Sequence, residues 1–186
     1  DGKSNIQDYK AQLEYLKAQQ KNSKRLDSHR NKKKIKLSAY KKALQDVERA
    51  EKNLKLAEKK FVASGCKDGT AEANTYTKLK QARTAAYEKQ RAAASRLDSA
   101  TQQRILQNEN VYEDLMTQDQ KKELKDAVKG GASKERTIQS FAVDREIENV
   151  FSDVSDLNKK IKKLEAKMAN MKFNARAQDI FDYLFS

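Results

Sequence analysis

The chain has 186 residues with no Pro, no Trp, five Gly and one Cys, and it carries 40 Lys+Arg against 27 Asp+Glu for a net charge of +13. The missing prolines exclude a loop-rich globule, and the 37% hydrophobic content excludes a thick core, which leaves few, long helices joined by short turns. The single Cys excludes a disulfide framework, and no apolar run is long enough to cross a bilayer.

Ser4-Asn5-Ile6-Gln7 reads as a capping box that opens a first helix. Ile6, Tyr9, Leu13 and Leu16 form its apolar stripe. From Lys17 to Lys34 only Ala18 and Leu26 are apolar, so the middle of this helix is weakly buried. It is read as one helix with a kink, or else as two helices broken near Asn22–Asn31. A stronger seam follows at Leu37, Tyr40, Leu44, Val47, Leu54 and Phe61. Its three- and four-residue steps are the pattern of helices packed as in a coiled coil. Glu51 and Glu58 stand in that seam where apolar residues are expected.

Ser64-Gly65-Cys66-Lys67-Asp68-Gly69-Thr70 is the main turn, with Cys66 expected to be exposed. Thr70 suits the N-cap of a second helix. Its seam runs through Tyr76, Leu79, Ala86, Ala93 and Leu97, within an Ala-rich centre that lets a neighbouring helix approach. The seam shifts phase near Ala100, a shift read as a local rewinding. Gly130-Gly131 stops this helix. Ser133 or Thr137 opens a third, whose seam is Ile147, Val150, Val154, Leu157, Ile161, Leu164, Met168 and Met171.

The expected fold is therefore all-α: one elongated, rod-like domain built as a three-helix antiparallel, up-down-up, coiled-coil-like bundle. Its helices are placed at about 4–63, 71–129 and 137–185, with turns at 64–70 and 130–136.

The charge is uneven: residues 1–64 hold 18 Lys+Arg and 8 Asp+Glu. Two basic runs stand out, one with Lys24, Arg25, Arg30, Lys32, Lys33, Lys34 and Lys36, the other with Lys159, Lys160, Lys162 and Lys163. If the first and third helices are parallel and start level, these runs coincide in height with Arg96 on the second helix. Together they form a polyanion-binding belt. At the C-terminus Phe173, Ile180, Phe181, Leu184 and Phe185 cover too wide an arc for a helical seam, and are expected to cap the bundle or dock on another chain.

Nothing points to catalysis. His29 is the sole histidine and cannot form a metal cluster or a triad alone. No phosphate loop is present, and a thin rod leaves little room for a ligand cavity of about 300 Å³. The expected activity is non-enzymatic, without cofactor, metal or small-molecule substrate. The chain reads as a soluble or peripheral interaction or scaffold module. It would bind another protein, or itself, through helical faces, with the belt on an anionic surface of lipid, glycan or nucleic acid. The alternatives are a membrane-surface or receptor-binding helical hairpin, and a nucleic-acid packaging or architectural protein. In composition and helix length alone, such hairpins resemble both the membrane-curving BAR superfamily and the receptor-binding arms of bacteriocins. Against base recognition, the basic runs lack the interleaved aromatics that base stacking uses.

Overall fold

A computed structural model describes residues 2–107 and 109–185, without the side chains of 2–5, 107 and 109–111. The described chain is all-α, with no strand. Its helices are α1 (Gly2–Arg25), α2 (Asp27–Ala63), α3 (Ala71–Ser95), α4 (Ser99–Gln102), a π-helical turn (Gln103–Gln107), α5 (Glu109–Leu115), α6 (Gln118–Lys129), α7 (Lys134–Asn149) and α8 (Ser152–Phe185). Three unbroken helices are thus replaced by shorter pieces. The chain divides into two compact units, one made of residues up to 31 and from 149, the other of residues 32–148.

In the first unit α1 packs on α8. The helix is already formed at Gly2; the Ser4 side chain of the expected capping box lies outside the described residues. Helix α1 ends where its apolar stripe fails. The Leu26 N–H bonds to Ser23 O at 2.9 Å, and the Arg30 N–H resumes the ladder on Leu26 O at 3.0 Å. The two-helix reading of this stretch therefore holds, with the break at Leu26. Lys17 pairs with Glu165, Gln20 bonds Asn158, and Arg30 pairs with Asp153. As one number rises the other falls, so α1 and α8 are antiparallel. The up-down-up order required them to be parallel and is wrong. The buried side of α8 is Ile161, Leu164 and Met168, while Val154, Leu157 and Met171 of the expected seam are only half-buried.

In the second unit the seam of α2 is buried as expected through Leu37, Tyr40, Leu44, Val47 and Leu54, with Ala43 and Ala57 beside it. Fully burying a Leu or Val contributes about 1.5–3 kcal/mol, so this seam is a substantial source of the unit's stability, alongside buried residues such as Ile105, Ile138 and Val143. Gly65, Cys66 and Gly69 take positive φ in the turn. Thr70 caps α3 by accepting from the Ala73 N–H. Phe61 stacks on Tyr76 with ring centroids 5.3 Å apart, and Tyr87 donates to Glu51, so α2 and α3 form the expected antiparallel hairpin. The Ala-rich face is mostly not a contact: Ala93 is buried, whereas Ala82, Ala85, Ala92 and Ala100 are exposed.

The second expected helix, 71–129, is broken at Arg96–Asp98. Asp98 is the N-cap of α4 and accepts from the Thr101 N–H at 2.8 Å. The Gln102 side chain donates to Ala94 O and Leu97 O, both at 2.8 Å, satisfying carbonyls at the end of α3. Leu97, Thr101 and Ile105 are buried there, so apolar contact reinforces the cap. The chain then reverses: Arg104 bonds Glu146, Tyr112 donates to Phe141 O, and Lys134 pairs with Glu113. This run is antiparallel to α7. Helix α7 is itself antiparallel to α2 through Tyr40–Gln139, Lys41–Asp144 and Glu48–Arg136. The phase shift near Ala100 is thus a capped reversal followed by a π-helical turn, not a rewinding.

Helix α6 ends at Lys129 on Gly130, with Gly131 at φ 92°, as the Gly-Gly pair predicts. Ser133 opens α7 by accepting from the Arg136 N–H at 3.3 Å. Its buried residues are Ile138, Gln139, Phe141, Ala142 and Val143. The expected third-helix seam missed these and used Ile147 and Val150, which are half-buried. That third helix is also interrupted between Asn149 and Ser152.

Candidate polyanion and partner-docking site

In the first unit, Lys24 and Arg25 are exposed in the last turn of α1. Cations suit that position, because the helix dipole places partial negative charge there. Lys159, Lys160, Lys162 and Lys163 are exposed on α8. The 2.7 Å bond between Gln20 and Asn158 fixes the register. Antiparallel packing sets Lys159 level with the stretch next to Gln20, not with Asp27. Lys163 falls toward Lys17, not toward Asn31. The belt built on parallel helices is therefore wrong in register.

Arg30 does not belong to a free cationic surface. Its side chain is only 11% exposed and pairs with Asp153 at 2.5 Å and Asp27 at 3.3 Å. It also donates to Ser23 O at 2.7 Å, which closes the end of α1. Its charge holds the break at Leu26 together. Beside it lies an open groove of about 500 Å³ that includes Leu26, Arg30, Asp153, Asp156, Leu157 and Lys160. This is more room than a thin rod was expected to leave, and it is a surface groove with charges of both signs.

In the second unit, Lys32, Lys34, Lys36 and Arg96 are exposed and Lys33 is half-buried. The Asp98 carboxyl is held below its ordinary value by the Thr101 backbone N–H first, with the charges of Lys33 and Arg104 adding to it. Among the described residues, Lys24, Arg25, Lys32, Lys34, Lys36, Arg96, Lys159, Lys160, Lys162 and Lys163 take part in no ion pair.

The cations that do pair hold helices together. Arg136 bridges Glu48 at 2.7 Å and Glu51, which also accepts from Tyr87. Burial pushes the Arg136 guanidinium down, but the bond to Glu48 and the charges of Glu48 and Glu51 raise it above its ordinary value. This network accounts for Glu51 in the seam. Glu58 is exposed; there the buried line passes through Leu54 and Ala57 to the stacked ring of Phe61.

On the last turns of α8, Phe173, Ile180, Phe181, Leu184 and Phe185 are 56–74% exposed. Phe181 and Phe185 touch each other, with centroids 4.6 Å apart. They do not cap a bundle core. No helix is long and apolar enough to cross a membrane among the described residues. Nor is any group of three or more His, Cys, Asp or Glu side chains placed to hold a metal ion among them. Cys66 is exposed. Comparison with protein-family models, curated proteins and solved structures finds no match.

Proposed function

We propose that the chain is a non-enzymatic helical interaction module whose exposed lysines dock on an anionic partner. One observation carries this reading: Lys159, Lys160, Lys162 and Lys163 stand exposed on a single stretch of α8 without ion pairs, while Arg30, Arg104 and Arg136 are engaged between helices. Like charges kept together on a surface repel one another, and an anionic partner relieves that repulsion.

The test is binding to heparin, duplex DNA and anionic vesicles, each over a salt series. Binding that weakens steeply with salt supports the reading, since docked lysines release condensed counterions. No binding to any of the three at low salt would make these lysines an ordinary solvated face.

A second reading, a membrane-surface element, is favoured by the exposed aromatic end of α8. The nucleic-acid reading has no such added observation and is decided by the DNA arm of the test.

A further inference from the structure

Helix α8 continues unbroken from Ser152 to Phe185. At 3.6 residues per turn, with Phe173 taken as the centre, Lys159, Lys162, Ala177, Ile180 and Leu184 fall within about 40° of it, Arg176 at about 60°, and Lys163 and Phe181 at about 80°; the long Arg176 stem can carry its charge out of an apolar layer to the headgroups. Ile161, Leu164 and Met168, the buried side of α8, lie about 120° or more away. The lysines and the aromatic patch thus share one outward stripe. Lys159 to Leu184 spans about 37 Å at 1.5 Å per residue.

The acids keep off this stripe. Asp179 and Asp182 lie toward the back of the helix, and Gln178 donates to Asp182 at 2.9 Å. Glu165 sits at the margin in an ion pair with Lys17. Any occupant must therefore supply anions at one end of the stripe and an apolar medium at the other. Nucleic acid supplies only the anions. A second copy in parallel would set Lys159, Lys162 and Lys163 against themselves. An antiparallel copy would set them against Phe181 and Leu184, with no carboxylate on the stripe to meet them. An anionic bilayer supplies both, with phosphate and carboxylate headgroups above an acyl layer that an amphipathic helix enters by about 5–10 Å.

We propose that the outward stripe of α8 binds an anionic lipid bilayer, with Lys159, Lys162 and Lys163 on the headgroups and Phe173, Ile180, Phe181 and Leu184 in the acyl boundary. The proposal rests on the anionic-docking reading and adds the apolar half.

The experiment is co-sedimentation of the full chain with vesicles of one-third phosphatidylserine and two-thirds phosphatidylcholine, with heparin binding measured in parallel. Two exposed-residue variants are compared, K159Q/K162Q/K163Q and F173Q/I180Q/L184Q, with helicity checked by circular dichroism. Each lysine near the surface is worth about fivefold in partitioning, so the lysine variant should bind vesicles weaker by on the order of a hundredfold. It should also lose heparin affinity. The apolar variant should lose vesicle binding while keeping heparin binding. The chain has no Trp, so F181W provides a single reporter, whose emission should shift to the blue only when anionic vesicles are added.

Heparin binding without vesicle binding overturns the membrane assignment and leaves the docking reading standing. Vesicle binding unchanged in the apolar variant overturns it too. So does an apolar variant that changes only self-association, which would make a second copy the occupant. Binding to neither probe overturns both readings.

Discussion

The Tyr40 hydroxyl donates to Gln139 Oε1 at 2.9 Å, and this bond between α2 and α7 is buried although 99 residues separate the partners. Tyr40 is fully buried and Gln139 is 6% exposed, so neither exchanges its partner for water. Y40F leaves the Gln139 oxygen unsatisfied and should lower stability by about 1–3 kcal/mol in urea unfolding.

The same tyrosine governs behaviour in alkali. Burial, with the Glu135 charge adding to it, pushes its hydroxyl up from 10.0 to about 12. A folded value above the unfolded one means a contribution complete below pH 10 and lost as pH rises through about 12. Thermal melts over that window should fall steeply in the parent chain and less steeply in Y40F. The buried Tyr112, also raised, accounts for part of the remaining fall.

Asp98 should matter more than its exposed position suggests. It caps α4 at the point where the chain reverses. D98A should cost about 1 kcal/mol, within the 0.5–2 kcal/mol range of N-cap losses, and D98N should recover most of it. Equal losses in both variants would assign the effect to the carboxylate charge near Lys33 and Arg104, not to the cap.

Arg136 joins α2 to α7 through two carboxylates. R136M should destabilise by about 2–4 kcal/mol, below the full cost of breaking a deeply buried pair, because these side chains keep some exposure. A double-mutant cycle with E51Q should give a coupling above about 0.5 kcal/mol.

Burial separates two leucines that the sequence treats alike. L44A, 2% exposed in the parent, should cost about 2–4 kcal/mol. L157A, half-buried on α8, should cost clearly less, and the exposed K55A under ~0.5 kcal/mol. Chemical denaturation of the three variants checks the order.

Much of the local structure was legible. The Leu37–Leu54 seam, the turn around Gly65 and Gly69, the Thr70 cap, the stop at Gly130 and the start at Ser133 are each signalled by a few neighbouring residues. The reversal at Arg96–Asp98 was hidden because no Gly or Pro marks it and the Ala-rich stretch before it favours continued helix. Missing one reversal inverts the sense of a later helix, which is why α7 was expected to run parallel to α2. The height-matching of the basic runs failed with that sense, since α8 also runs against α1. At the site, the exposure of the lysines follows from their charge, whereas that of Phe173, Ile180, Phe181, Leu184 and Phe185 does not, since large apolar side chains are ordinarily buried. The structural duty of Arg30 does not, because its partner Asp153 is 123 residues away in sequence.

The central claim is a located anionic-docking surface on α8, and charge-matched triples test it most directly. K159E/K162E/K163E and K10E/K121E/K125E change net charge equally, and all six lysines are exposed. Duplex DNA binding over a salt series should weaken strongly in the first triple, its log–log salt slope dropping by about 0.9 for each phosphate no longer neutralised. The second triple should keep most of the parent's affinity and slope. Equal weakening by both triples would contradict a located site and leave only general attraction to a basic protein.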